Sequence, residues 1–278
     1  MNAPFALLCA AVGNGWTVRA EYYYSEYAPS LGKDHAGRGP DLYLDVHGNP
    51  DAAKTIIIFF HPGCLTWGNR SAANGCVIRS LLDRGNAVVS VDYRLTGWGW
   101  NGSSLLEDVH DSIDFVARTW PQAKLVIWGE SGGAQLALLG AYTSNPSLNG
   151  VVSYGHSKVV GVVADSPQID MRLAKSCREG FCATAYDDQS DPCWEMLSPL
   201  THVNNGSVPT LLVSGLLDTM TKQVQPQLMA NALKTSGVRH LWVQSPHSAH
   251  IIAFNTIYSL NYQIFLSAFH SLVNDVSR

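Results

Sequence analysis

The chain of 278 residues is long enough to bury a sizeable core, and its apolar segments recur without a composition shift that would mark a linker, so residues 1–278 read as one domain. A formal net charge of -4 from scattered acidic and basic side chains offers no basic stripe for a phosphate backbone, which excludes nucleic acid as a partner. Charged residues make up only 14% and aromatic ones 10%, a balance that favours an aromatic, weakly charged pocket.

Residues 4–13 (PFALLCAAVG) are apolar but far too short to span a bilayer and follow no basic segment, so they read as an N-terminal strand. Cys9, Cys64, Cys76, Cys177, Cys182 and Cys193 are too scattered to frame a small disulfide scaffold. The sequons at Asn69, Asn101 and Asn205 would suit a secreted chain. Such triplets also arise by chance, and the reading is cytoplasmic, with secretion as its alternative. Nothing in the pattern sets an oligomeric state.

Lys54–Phe60 is a continuous β-branched and aromatic run, as expected of a strand covered on both faces in a parallel sheet. Ala87–Val91, Lys124–Trp128, Val159–Val163, Thr210–Ser214 and His240–Gln244 follow at helix-length intervals. Between them, Ser104–Trp120 carries one apolar stripe (Leu105, Val109, Ile113, Val116), with Ser104-Leu-Leu-Glu107 as its capping box and Pro121 as its stop. Gly132–Thr143 reads as a small-residue helix buried against the sheet, and Lys222–Ser236 as another that ends at Gly237. Strand alternating with helix predicts a mostly parallel central sheet with helices on both faces and a ligand site at the carboxyl ends of the strands. Residues 166–208, with three cysteines, four aspartates and little periodicity, interrupt the alternation and read as a lid or cap insertion.

The chemistry-bearing residues fall at strand ends. Trp128-Gly129-Glu130-Ser131-Gly132-Gly133 follows a buried strand and opens a helix, the setting of a nucleophile elbow that presents Ser131 Oγ. His61-Pro62-Gly63-Cys64 follows the first strong strand and suits a loop whose N–H groups hold an oxyanion together with that of Gly132; Pro62 has no N–H, which leaves Gly63 or Cys64. For Cys64, a small loop-filling side chain is favoured over a reactive thiol. A nucleophilic serine needs a base and a carboxylate to orient it. Asp218 lies past the strand ending at Ser214, where it could serve as that acid or as a turn residue capping the next helix. Two histidines follow the last strand. His250 precedes an apolar run that should start the final helix and is favoured as the base, with His247 as the alternative. His61 reads as a loop-holding residue.

In this order these motifs resemble the α/β-hydrolase superfamily, and within it the esterases similar to hormone-sensitive lipase and the compact carboxylesterases. The likeness spans most of residues 40–270 and also takes in Val91-Asp-Tyr-Arg-Leu95, Glu107-Asp108 and Ser198-Pro-Leu200. The resemblance implies a small-molecule ester substrate, an acyl-enzyme, no cofactor and no metal, with Ser131 as nucleophile, Asp218 as acid, His250 as base and Gly63, Cys64 and Gly132 as oxyanion donors. The family's proline-containing stretch after the Asp-Tyr-Arg motif is replaced by Thr96-Gly-Trp-Gly-Trp-Asn101. Trp98 and Trp100, with Trp67, are therefore candidates for an aromatic or hydrophobic substrate pocket, the alternative being that they pack beneath the loops. The same triad could also serve a lyase, cyclase or acyltransferase; a non-catalytic binding protein is disfavoured because all three candidates are present.

Overall fold

A computed structural model describes residues 21–23, 42–143, 153–174, 182, 192–254 and 260–277, with the side chain of Trp98 not among them. Its strands are β1 (Glu21–Tyr23), β2 (Tyr43–His47), β3 (Thr55–Phe60), β4 (Ala87–Val91), β5 (Lys124–Glu130), β6 (Val159–Asp165), β7 (Thr210–Gly215) and β8 (His240–Ser245). They form one sheet in the order β1-β2-β4-β3-β5-β6-β7-β8. β2 runs antiparallel to both β1 and β4, and every pairing from β4 through β8 is parallel. The helices are α1 (Gly75–Leu82), α2 (Gly102–Thr119), α3 (Gly132–Tyr142), α4 (Pro192–Met196), α5 (Val224–Thr235) and α6 (Leu260–Ser277).

The strand period of two divides the core between the sheet's faces. Ile56, Ile58 and Phe60 of β3 point to one layer, with Val109 and Ile113 of α2, Leu136 and Leu139 of α3, and Met229 and Leu233 of α5. Ile57 and Phe59 point to the other, with Val77 and Leu81 of α1 and Phe265 and Phe269 of α6. All six residues of β3 are buried, so each large apolar side chain there contributes about 1.5–3 kcal/mol by leaving water. After Thr55 nothing polar interrupts this strand, which is why its run is legible without alternation.

This is the α/β-hydrolase architecture, and three details depart from the sequence reading. Helix α2 starts at Gly102, because Asn101 accepts the N–H of Ser104 at 3.0 Å and is the true N-cap; Ser104 lies inside the first turn and its hydroxyl donates to Asn101 Oδ1. β5 runs to Glu130, since Gly129 and Glu130 continue the ladder against Ala164 and Asp165. Among the described residues after His250, Ile252–Phe254 form a short 3-10 turn and the last described helix is Leu260–Ser277. The proposed N-terminal strand at 4–13 and much of the proposed lid at 166–208 lie outside the described residues. Among those described, Cys182 is bonded to Cys193, and Cys64 and Cys76 are also in disulfides. No described helix is long and apolar enough to cross a membrane.

Candidate active site

Ser131 sits between β5 and α3 with φ 54° and ψ -121°, a strained conformation that projects its side chain away from both elements. Glycine is required around it. A Cβ on Gly129 would stand 2.1 Å from Gly133 O, and one on Gly133 2.1 Å from Phe60 O, so strand, turn and helix pack backbone against backbone. The Ser131 N–H is held by Asp165 O at 2.8 Å.

Ser131 Oγ lies 2.7 Å from His250 Nε2, and His250 Nδ1 lies 2.7 Å from Asp218 Oδ2. The Asp218 side chain is fully buried and that of His250 is 16% exposed, so the pair is screened little while the imidazole edge reaches the site. Asp218 also does what the turn reading asked of it: Oδ1 accepts the N–H groups of Met220 and Thr221, each at 2.8 Å. One oxygen closes the turn and the other faces the histidine. His247 is exposed in the turn after β8 and makes no hydrogen bond among the described residues.

The loop after β3 is folded by its own backbone. Gly63 O accepts from Thr66 N and Trp67 N, and Cys64 and Leu65 hold φ of 52° and 60°. A Cβ on Gly132 would stand 3.1 Å from Leu65 N, which puts this loop directly over the start of α3. The Gly132 N–H has no acceptor among the described residues, as expected at the first turn of a helix. Cys64 is not a thiol, because it is in a disulfide. Leu65, buried and pinned through its carbonyl to Thr96 N at 2.8 Å, went unremarked in the sequence; its left-handed backbone has no composition signal. His61 is buried and stacks on Tyr93 with ring centroids 4.1 Å apart, and burial lowers its pKa, which keeps it neutral. Its Nδ1 is 2.8 Å from Pro62 O, and Tyr93 Oη donates to His61 O, so it holds the loop.

The remaining motif residues are anchors. Arg94 is bound to both Asp108 oxygens and to Glu107, and its guanidinium lies 4.7 Å from the Trp100 ring, so Trp100 packs on that buried cation. Trp67 is 66% exposed beside the loop, and the side chain of Trp98 lies outside the described residues. Ser198 accepts the N–H of Met171, and Leu200 N–H donates to Ile169 O, which ties the segment before β7 to the one after β6. Two buried carboxyls lie directly behind Ser131 and were not singled out in the sequence. Glu130 has no hydrogen-bond partner among the described residues, and burial together with Asp165 pushes its pKa well above the ordinary range. Asp165 is raised by burial to about 6, with amide donors and His250 opposing the rise.

Comparison with known proteins agrees with this architecture. The BD-FAE family profile matches residues 41–233. A Caenorhabditis elegans dipeptidyl peptidase family member 6 is 21% identical over 250 residues, 84% of this chain and 33% of that protein. The C. elegans neuroligin-like protein glit-1 is 31% identical over 114 residues, 34% of this chain and 15% of that protein. The chain thus spans a third or less of the length of these relatives. Among solved structures, esterase 2 of Thermogutta terrifontis superposes in its apo form with a TM-score of 0.74 at 20% identity, covering 93% of this chain and 94% of that one. Its butyrate-bound form gives 0.73 at 19% identity, with the same coverage of both chains, and its sarin-phosphonylated form 0.72 at 18%, with 93% and 95% covered. With the profile covering well over half of its length, this chain belongs to the BD-FAE family of α/β-hydrolases.

Proposed function

We propose that the protein is a serine hydrolase that cleaves small carboxylic esters through Ser131, His250 and Asp218. The observation that carries this reading is the unbroken relay from Ser131 Oγ through the imidazole to the buried Asp218 carboxylate, both links 2.7 Å. His250 Nε2 takes the serine proton as Oγ attacks the carbonyl, and Asp218 holds the ring in the tautomer that leaves Nε2 free and stabilises the imidazolium. The N–H of Gly132, with those of Gly63 and Cys64 from the facing loop, stabilises the oxyanion, and the acyl-serine is released by water activated through the same imidazole. Support for a short acyl group comes from the butyrate and propionate complexes of the Thermogutta esterase.

Ser131→Ala is expected to lower kcat on a short-chain aryl ester by roughly 10⁶-fold and to abolish fluorophosphonate labelling while leaving the circular dichroism spectrum unchanged. Full turnover in that variant would sink the proposal. A side-by-side assay of His250→Ala and His247→Ala separates the two histidines, and activity is expected to disappear only in the first. The disulfides at Cys64, Cys76 and Cys182–Cys193 favour secretion to an oxidising compartment over the cytoplasm.

A further inference from the structure

The three proposed catalytic residues stand on three separate segments, and two residues that the mechanism does not use join all of them. Asp165 ends β6 and Ser166 follows it; β6 lies in the sheet between the strand leading to Ser131 and the strand leading to Asp218. The carbonyl of Asp165 accepts the Ser131 N–H at 2.8 Å. The carbonyl of Ser166 accepts from Thr221 Oγ1 at 3.1 Å, and Thr221 in turn donates its N–H to Asp218 Oδ1 at 2.8 Å.

Their side chains turn to the third segment. Asp165 Oδ2 accepts the Ala253 N–H at 3.0 Å, while Ser166 Oγ accepts the Ile251 N–H at 3.0 Å and donates to Asp165 Oδ1 at 3.0 Å. The amides one and three residues beyond His250 are thereby both tied to the end of β6. Asn74 Nδ2 holds the far side of the same segment through Ala253 O at 2.6 Å. Ser166 and Ile251 have φ of 57° and 63°, conformations that non-glycine residues keep only where neighbouring bonds over-determine them. Burial of Ile252 and Ala253 in the core holds this turn from one side, and the bonds from Asp165 and Ser166 fix its amides from the other.

We infer that Asp165 and Ser166 are positioning residues that hold the His250 imidazole in line between Ser131 and Asp218, an inference that rests on the hydrolase reading above. Both side chains are wholly buried, where an acceptor without donors would be costly and a satisfied one is rigid. Asp165 has the amide donors that Glu130, its ladder neighbour, lacks, so Asp165 carries the charge of the pair and Glu130 the proton.

The test compares wild type with Asp165→Asn, Ser166→Ala and Ser166→Gly, the last removing the hydroxyl while relieving the backbone. With a short aryl ester, kcat is expected to fall about tenfold to a hundredfold in Asp165→Asn and less in the serine variants, with KM within about twofold. In NMR, the downfield Nδ1 proton of His250, assigned by its loss in His250→Gln, is expected to broaden or vanish in all three. Wild-type kcat and an unchanged Nδ1 proton in the variants would overturn the inference, as would losses of kcat that merely follow losses of Tm. If Asp165→Asn does not fold, the two serine variants decide. If the wild type cleaves no ester and takes no fluorophosphonate, the hydrolase reading fails, and the proton signal alone still judges the restraint on His250.

Discussion

Glu130 precedes Ser131, is fully buried, and has no hydrogen-bond partner for either oxygen among the described residues. Its folded-state pKa lies well above that of an exposed glutamate. Above the ordinary glutamate range, the folded chain therefore holds a proton that the unfolded chain has released, so this group lowers stability as pH rises toward its folded value. Glu130→Gln, which keeps the shape and removes the titration, is expected to raise Tm relative to wild type at pH 8 by more than at pH 5. A calorimetric scan at the two pH values checks both the sign and the trend. Asp218 teaches a different lesson at the same scale. The sequence offered two roles for it, turn residue and acid; in the structure one carboxylate oxygen accepts the turn amides and the other faces His250 Nδ1. Spacing could place Asp218 at the end of β7, but not show that one side chain can reach the turn amides and the histidine together. Asp218→Asn is expected to leave the turn and the fold in place and to lower kcat by about 10⁴-fold, because the amide favours the wrong imidazole tautomer.

At the scale of elements, the central strands were legible because burial on both faces leaves unbroken apolar runs, and α2 was legible through its stripe. Its cap was not. Ser104 and Glu107 have the spacing of a capping box, yet Asn101 reaches the Ser104 N–H first and starts the helix three residues earlier than that box implies. The motif residues Asp92, Arg94, Glu107 and Asp108 were read as family markers with no assigned task. Three-dimensional pairing supplies it: Arg70 bridges Asp45 and Asp92, and Arg94 bridges Asp108, Glu107 and Ser104 O, so the loops after β3 and β4 are bolted to the sheet and to α2. The Arg94 side chain is 1% exposed and that of Asp108 fully buried. Asp108→Ala removes the wholly buried partner of the Arg94 cation and leaves it the partly exposed Glu107, and is expected to cost about 3–5 kcal/mol, seen as a Tm lower by roughly 10 °C, whereas the exposed Arg79–Asp83 pair can be removed with little effect.

Across the whole molecule, the parallel order of the sheet and its site at the strand ends followed from alternating strand and helix patterns, while the cysteines did not reveal their pairing. Disulfides depend on distances between segments, and spacing alone could not bring Cys182 against Cys193. Closing a loop of that size stabilises a fold by about 3 kcal/mol in the chain-entropy account. Dithiothreitol is therefore expected to lower Tm by several degrees, a difference scanning fluorimetry resolves; an unchanged Tm would argue against an oxidised native state. The distance along the chain between the proposed nucleophile and the proposed base has a consequence for synthesis. His250 lies 119 residues after Ser131, so a growing chain acquires its elbow well before the histidine that meets it in the folded structure. At about 5–20 residues per second, that leaves an interval of roughly ten seconds in which, on the mechanism proposed above, the nascent chain carries its serine without a base and stays inert toward esters until His250 has been added.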